Sequence, residues 1–310
     1  METKKLRLVG DLINNAYARA RKAFREKDVK GYQNLALSQA SLGVEFLDVN
    51  LDGTQQIQVR PEEMLAFLPD VVHALQEATP LPLCFDNPSV NYQRIALQHY
   101  DRKRSGRPIV DSIAASREHL DEMIELVKEY DTYVVAMVSE RFVDGGTAQC
   151  FNPQDVHEAA KYFVELLATK AGRTNDQIII DPGLAPVGAD TYGIVNTGLD
   201  AMRLIRQDPD LKGVHITVGL SNFAWGTPKE IRHDLERAYL TIATNAGLDF
   251  PIVNPEMNPT PLPDDHKMVG LLQHALDEGR AAEGESKETA GFRQAEAVLQ
   301  IWGNVESENS

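Results

Sequence analysis

The sequence predicts an α/β protein built as a (β/α)8 TIM barrel, on three observations. Short apolar strands, polar turns and amphipathic helices alternate along the chain, the pattern of parallel βα units. About eight such units fit between Leu6 and Asn254, on the order of the ~250 residues an eight-stranded barrel needs. The acids and amides gather at the C-terminal ends of the strands, where the loops of such barrels build their active sites.

Taken in order, Leu6 to Val9 reads as strand one, followed by the polar turn Gly10-Asp11-Leu12-Ile13-Asn14 and a helix through Arg19 and Phe24. A helix from Gly31 to Leu42 ends at Gly43, a suitable C-cap. Strand two, Val44 to Val49, leads into Asn50-Leu51-Asp52-Gly53. The next helix opens on Pro61-Glu62-Glu63, with proline at its first position and acid in its first turn. Its Met64, Leu65, Leu68, Val71, Val72 and Leu75 recur at helical spacing and belong to the core. Strand three (Leu81 to Phe85) ends at Asp86-Asn87-Pro88, and strand four (Pro108 to Val110) at Asp111-Ser112. Arg102-Lys103-Arg104 reads as a cationic helix tail, which suits the helix dipole.

Strand five, Thr132 to Val138, feeds a long loop from Ser139 to Asn152 with Gly145-Gly146 inside it. A loop of this length is either a lid or partner-binding segment or plain surface variation. Strand six (Gln177 to Ile180) ends at Asp181-Pro182-Gly183. Strand seven (His215 to Gly219) runs into Leu220-Ser221-Asn222, and strand eight (Phe250 to Val253) into Asn254-Pro255-Glu256. The barrel is assigned to residues 1–282. Residues 283–310 form a polar linker and a last helix, Ala290 to Trp302, packed on the barrel or on a dimer partner through Phe292, Leu299, Ile301 and Trp302.

Composition narrows the function. The formal net charge of −15 disfavours nucleic acid and anionic membranes, which need clustered Lys and Arg. No apolar run is long enough to span a bilayer, and the charged, strand-like start Met1-Glu2-Thr3-Lys4-Lys5-Leu6-Arg7-Leu8 is unlike a signal peptide, so a cytoplasmic protein is expected. Cys84 and Cys150 form neither a CxxC nor a Cys/His cluster, and no metal site is expected.

The strand ends carry Asn14, Asp48 with Asn50, Asp86 with Asn87, Asp111, Asp181, Asn222 and Asn254. Such a ring, almost free of Lys and His, suits a ligand rich in N–H groups and suits a sugar phosphate poorly. Asn222 is the leading candidate within it, against the reading that it only caps the helix starting near Pro228. Asp48 and Asn50 either touch the ligand or support loops. His215 reads as a barrel-interior histidine, and Arg232 and Arg237 as structural ion-pair partners.

With Val218-Gly219-Leu220-Ser221-Asn222, Leu47-Asp48-Val49-Asn50, Leu83-Cys84-Phe85-Asp86, Val110-Asp111-Ser112 and Ile180-Asp181-Pro182 in order, the sequence resembles the pterin-binding methyltransferases. These exchange a methyl group between N5 of tetrahydrofolate and a corrinoid protein. Each motif is weak alone, and their order from about Leu6 to Asn254 is specific. The resemblance implies a pterin-binding TIM barrel in which Asp86 and Asp181 grip the pterin, Asn222 approaches N5, and Gly219, Ser221, Asp48, Asn50 and Asn14 line the pocket. It also implies tetrahydrofolate or 5-methyltetrahydrofolate as substrate, cobalamin arriving on a partner protein, and a homodimer. Asp111 stands where that family usually has asparagine. An ionised carboxylate can only accept a hydrogen bond, so Asp111 either pairs with another ring N–H or stays protonated beside Asp86 and Asp181. Trp225 also stands where a polar residue is common in the family, over either the pterin or the corrinoid entrance. Dihydropteroate synthase shares the fold, but its Asn-Val-Thr-Pro-Asp-Ser-Phe loop and Ser-Arg-Lys turn are replaced here by Asp11-Leu12-Ile13-Asn14 and Ser221-Asn222-Phe223.

Overall fold

The computed structural model describes residues 6–308; the start of the chain, Met1 to Lys5, lies outside them. Ten strands are β1 (Val9–Asn14), β2 (Phe46–Asn50), β3 (Leu83–Asp86), β4 (Ile109–Ile113), β5 (Tyr133–Met137), β6 (Glu140–Val143), β7 (Gly146–Gln149), β8 (Ile178–Asp181), β9 (His215–Ile216) and β10 (Ile252–Val253). Eight of them form one parallel sheet in the order β10-β1-β2-β3-β4-β5-β8-β9. Its two edges meet: the Phe250 amide donates to Ile216 O at 3.0 Å, the Ile252 amide to Val218 O at 3.0 Å, and Gly219 bridges to Ile252. The fold is therefore the expected TIM barrel.

The helices are α1 (Ala18–Glu26), α2 (Val29–Ser41), α3 (Pro61–Ala78), α4 (Val90–His99), α5 (Arg102–Ser105), α6 (Leu120–Glu129), α7 (Pro153–Ala171), α8 (Ile194–Gln207), α9 (Lys229–Ala246), α10 (Lys267–Glu278) and α11 (Lys287–Glu308). None of the described helices is long and apolar enough to cross a membrane.

Strand alternation divides the core in two. Val9, Phe46, Cys84, Ile109, Val135, Ile179 and Phe250 pack with one another inside the barrel. Their neighbours Leu47, Phe85, Val110, Val134, Ile178 and Ile180 belong to the larger core shared with the helices. At the N-terminal end, Arg7 lies over Phe250 and Phe46, 4.5 and 5.0 Å from the ring centres. His215 closes the same end, its Nδ1 2.8 Å from Asp249 Oδ2, with Phe250 and Tyr133 against its ring.

Three local expectations are corrected. Residues 10–14 are not a turn but most of β1, and Asp86, Asp111 with Ser112, and Asp181 lie within strands and not in the loops after them. Polar side chains at an open barrel end read as turn residues because their inward face meets a pocket. The loop after β5 contains an antiparallel hairpin, β6 with β7, in which Val143 pairs with Gly146. Asp144-Gly145, with Gly145 at φ +82°, supplies its two-residue turn. Arg102-Lys103-Arg104 is not the tail of α4; it forms the separate short helix α5, capped by the Asp101 carboxylate, and Arg102 pairs with Asp131.

Helix α11 packs on α9 and α10 and buries Val298 and Ile301, while Phe292 and Leu299 stay exposed. The buried Gln294 amide donates to Val187 O at 2.9 Å, fastening α11 to the segment after β8. Gly291 permits this approach, since a Cβ there would stand 2.6 Å from Asp190 O. Gly291→Ala is expected to lower the melting temperature: relieving an overpacked contact costs about 1–3 kcal/mol, against a helix-propensity gain of at most about 1 kcal/mol. A variant that melts higher than the parent in a calorimetric scan would contradict this packing.

Candidate active site

The barrel interior repeats one local pattern. Val9, Phe46, Cys84, Ile109 and Ile179 are inward-facing apolar residues, and each is followed two positions later by an aspartate: Asp11, Asp48, Asp86, Asp111 and Asp181. With a side-chain period of two, those carboxyls stand one layer above the apolar plug, at the C-terminal mouth. Register supports this, because Asp86 pairs with Asp111 across β3 and β4, and Met137 with Asp181 across β5 and β8. β5 offers Met137 and the segment after β9 offers Gly219, so the acid layer has an uncharged side.

Burial dominates the electrostatics. Asp48 is 2% exposed, and its Oδ1 has no hydrogen-bond partner among the described residues. Burial, then the charges of Asp86, Asp111 and Asp11, hold its carboxyl well above the ordinary range. Asp111 is likewise held well above that range by burial, then by Asp86 and Asp181, while a Ser112 hydrogen bond and the Arg117 charge act in the opposite sense. Asp86 is raised by burial against the Asn50 amide, which donates to its Oδ2 at 2.8 Å. Asp181 is pushed up to about 6 by burial, although the Gly183 amide donates to its Oδ1 at 2.8 Å. Burial thus raises all four carboxyls, most strongly Asp48 and Asp111, the two that other carboxylates crowd most closely.

Cys84 stands among them, its Sγ 3.9 Å from Asp111 Oδ2. Asp48, Cys84 and Asp111 present potential metal-ligand atoms within 4.8 Å of one another, a grouping that spacing along the chain does not reveal because each residue comes from a different strand.

Asn222 lies in a 3-10 turn, Leu220–Asn222, and caps no helix; α9 begins at Lys229, with Pro228 before it. Phe223 anchors the turn, stacked on Tyr239 at 4.3 Å, and its carbonyl accepts from the Val187 amide at 2.8 Å. The Asn222 side chain is exposed and folds back over Gly219, where a Cβ would come within 3.0 Å of its Nδ2. Trp225, three residues on, is 70% exposed.

The remaining candidates divide. Asn50 orients Asp86. Asn14 pairs with Asn50 in register, but its Oδ1 accepts from the Ala16 amide at 2.8 Å and so holds the β1–α1 turn. Asn254 similarly accepts from the Glu256 amide, and Asn87 donates to Asp52 Oδ1 at 2.7 Å. Arg232 and Arg237 donate to the backbone oxygens of Thr227 and Thr260.

Sequence reasoning missed four neighbours of the site. Asp11 is 5% exposed and accepts from the Tyr17 and Ser221 hydroxyls. Glu236 on α9 is pushed up to about 7 by burial and the nearby Asp11 charge. Arg117 donates to Ser112 Oγ at 3.3 Å, and its Nε is buried without a partner among the described residues. Counting by twos from Val9 would have found Asp11; nothing in the sequence marks the others.

The fold and the site define a parallel barrel whose mouth is lined by buried carboxyls, a pocket rich in hydrogen-bond acceptors. A profile of the pterin binding enzyme family matches residues 14–254, and the chain belongs to that family. A methylcorrinoid:tetrahydrofolate methyltransferase from Eubacterium limosum is 26% identical over 250 residues, 80% of this chain and 84% of that protein. A methionine synthase from Mycobacterium leprae is 24% identical over 260 residues, 80% of this chain but only 20% of the larger protein. Dihydropteroate synthase structures share the fold. That from Xanthomonas albilineans superposes with a TM-score of 0.55 at 18% identity, over 99% of this chain and 95% of the other. That from Vibrio fischeri gives 0.58 at 14%, over 90% and 96%.

Asp181 provides a test of the electrostatics. Its folded carboxyl keeps its proton to about pH 6, whereas an ordinary aspartate releases it near 3.8. Between those values the folded state binds more protons than the unfolded state, so this group's contribution to stability is full below 3.8 and is lost as pH rises through 6. Asp181→Asn retains an oxygen for the Gly183 amide and cannot ionise. Without ligand it should exceed the parent by roughly 2–3 kcal/mol at pH 8, with the gap closing toward pH 4, in urea denaturation at several pH values. A gap independent of pH would remove charge burial as the cause.

Proposed function

We propose that this enzyme moves a methyl group between N5 of tetrahydrofolate and the cobalt of a corrinoid protein. What supports the reading is the convergence of Asp86, Asp111 and Asp181 on one buried layer, together with the exposed Asn222 in the turn that Ser221 ties to Asp11. The relative from Eubacterium limosum bears the name of such an enzyme in the direction from methylcorrinoid to tetrahydrofolate, and the same groups serve either direction.

The pyrimidine edge of a pterin carries adjacent N–H donors, which a carboxylate can accept in bidentate fashion, as it accepts a guanidinium. Asp86, held by Asn50, and Asp181, held by the Gly183 amide, are oriented acceptors for that edge. Burial and the charges of Asp86 and Asp181 raise the Asp111 carboxyl well above the ordinary range, and in its protonated form it can donate to an unprotonated ring nitrogen, as asparagine would. The corrinoid, carried by the partner protein, supplies the methyl group or receives it.

When N5 attacks the methyl carbon, its lone pair forms the new N–C bond, the pair of the breaking carbon–cobalt bond leaves with cobalt, and the proton that N5 carried passes to water; the reverse direction takes that proton back from water. Asn222 orients that lone pair through its amide. In the reverse direction N5 is a poor leaving group, and the same amide stabilises the electron pair returning to it. An amide is too weak an acid to transfer a proton outright, so its contribution is a positioned hydrogen bond.

The same reading makes the protein cytoplasmic and a homodimer that uses the exposed Phe292 and Leu299 of α11. The barrel is then residues 1–282 and the α11 region an appendage. A synthase reading finds less support, because Ser221-Asn222-Phe223 lacks the cationic turn expected of it.

Tetrahydrofolate should raise the melting temperature, as a ligand that binds only the folded state must, and Asp86→Ala should abolish that rise. No rise at saturating tetrahydrofolate would end the folate assignment. With methylcobalamin as methyl donor, Asn222→Ala should cut turnover by about 10²–10³-fold and change tetrahydrofolate affinity by less than about threefold. Unchanged turnover would remove the role given to Asn222, and a parent protein that binds folate without turnover would be a non-catalytic binding barrel.

A further inference from the structure

The acid layer holds two aspartates, Asp11 and Asp48, that the mechanism does not use, and one of them reaches the turn that carries Asn222. Asp11 belongs to β1, yet its nearest partners come from two other segments. The Tyr17 hydroxyl, at the N-cap of α1, lies 3.0 Å from both of its oxygens. The Ser221 hydroxyl donates to Oδ2 at 3.0 Å across 210 residues of chain. Ser221 is the residue before Asn222 in a turn whose next residue, Phe223, is pinned in the core. The turn is thus held at both ends by apolar packing, through Leu220 and Phe223, and at its middle by Asp11.

We propose that Asp11 is a positioning residue for the methyl transfer, fixing the angle at which Asn222 presents its amide by holding Ser221 against the first strand. The inference rests on the role given to Asn222 above. Asp11 does not touch the pterin in this scheme; it acts through the hydroxyl of Ser221. Leu220 and Phe223 are buried, but Ser221 and Asn222 between them are exposed, so packing alone does not fix the amide and a polar contact at Ser221 does. Misplacing a group of this kind by about an ångström is enough to lower a rate by about 10²-fold.

The ionised form is the one that accepts both hydroxyls at once. The groups facing Asp11 are Tyr17, Ser221, Asp48 on β2 and Glu236 on α9, with Arg232 beyond Glu236; on the β10 side, Glu256 is paired with Arg19. Burial pushes the Asp11 carboxyl up to about 6, while the two hydroxyls act to lower it. The clamp is therefore complete above pH 6 and loosens below it, so kcat should fall on the acid side with a midpoint near that value.

The test uses the full chain with tetrahydrofolate and methylcobalamin, after calorimetry has established that each variant binds tetrahydrofolate. Asp11→Ala is expected to lower kcat by about 10²-fold, with the folate dissociation constant within about threefold of the parent. Ser221→Ala removes the same hydrogen bond and should lower kcat to a similar extent, about 10²-fold. Asp11→Asn keeps one acceptor oxygen and cannot titrate, so it should lose less activity than Asp11→Ala and lack the acid limb near pH 6. Glu236→Gln should retain that limb. Normal kcat in Asp11→Ala and Ser221→Ala, a loss confined to folate affinity, or an acid limb that survives Asp11→Asn would overturn the proposal. An acid limb removed by Glu236→Gln would also overturn it. If the parent binds no folate, the assigned function fails first; if it binds and turns over while the Asp11 variants match it, only the positioning role fails.

Discussion

The site depends on the cost of placing several carboxyls in one dry layer. A barrel of parallel strands closes its interior to water, and each inward position must be filled by a side chain that tolerates this. Below the mouth the chain uses Val9, Phe46, Cys84, Ile109, Val135 and Ile179, and above them it places five aspartates. Burying ionised carboxylates is costly there, so the proton affinities of the layer rise: burial and neighbouring carboxylates raise Asp48 and Asp111 most, while the donors fixed beside Asp86, Asp181 and Asp11 act in the opposite sense. A ligand bringing its own N–H groups relieves the penalty that the empty pocket carries. Selectivity for such a ligand follows from the same burial, since an edge without donors would leave the carboxyls unpaired.

The support around this layer is specific. Asn50 is fixed to Asp86, and Gln93 donates to Phe85 O and Asn87 O, tying the end of β3 to the start of α4. Asn15 donates to Leu51 O and holds the β1–α1 turn against the segment after β2. Amides do this work because they satisfy backbone carbonyls without adding charge to a region already crowded with acid. The opposite end of the barrel meets the same need for burial with aromatic rings and an Arg7 guanidinium over them. One end is built to be closed and the other to receive something.

The alternation of strands and helices made the barrel legible from sequence, and the order of the strand-end motifs made Asp86, Asp111, Asp181 and Asn222 stand out. What was not legible follows from the polarity of the mouth. Gly10-Asp11-Leu12-Ile13-Asn14 reads as a turn because a glycine and two polar residues cluster there, but in a barrel strand the inward residue answers to the pocket and not to the core. The same effect ended β2, β3, β4 and β8 too early in the sequence reading and hid Asp11, whereas strands five, seven and eight were read longer than Tyr133–Met137, His215–Ile216 and Ile252–Val253. Contacts between segments far apart in the chain, such as Asp11 with Ser221 and Asp48 with Cys84 and Asp111, have no local signature at all.

The choice of an amide at position 222 follows from the surrounding acids. A lysine there would offer a stronger donor, but it would sit at the mouth of a pocket holding Asp86, Asp181 and Asp11, each able to capture a cation. Its reach would then be spent on an ion pair and not on the ligand, and the acids it paired with would no longer be free to accept from the ring. A neutral donor escapes this competition. Its direction is set by the turn that carries it and by the packing of Phe223 beneath, so geometry takes the place of charge in directing the hydrogen bond. On the proposed mechanism, an acidic pocket and an uncharged donor at Asn222 are thus two consequences of one choice, that of recognising the ligand through its N–H edge.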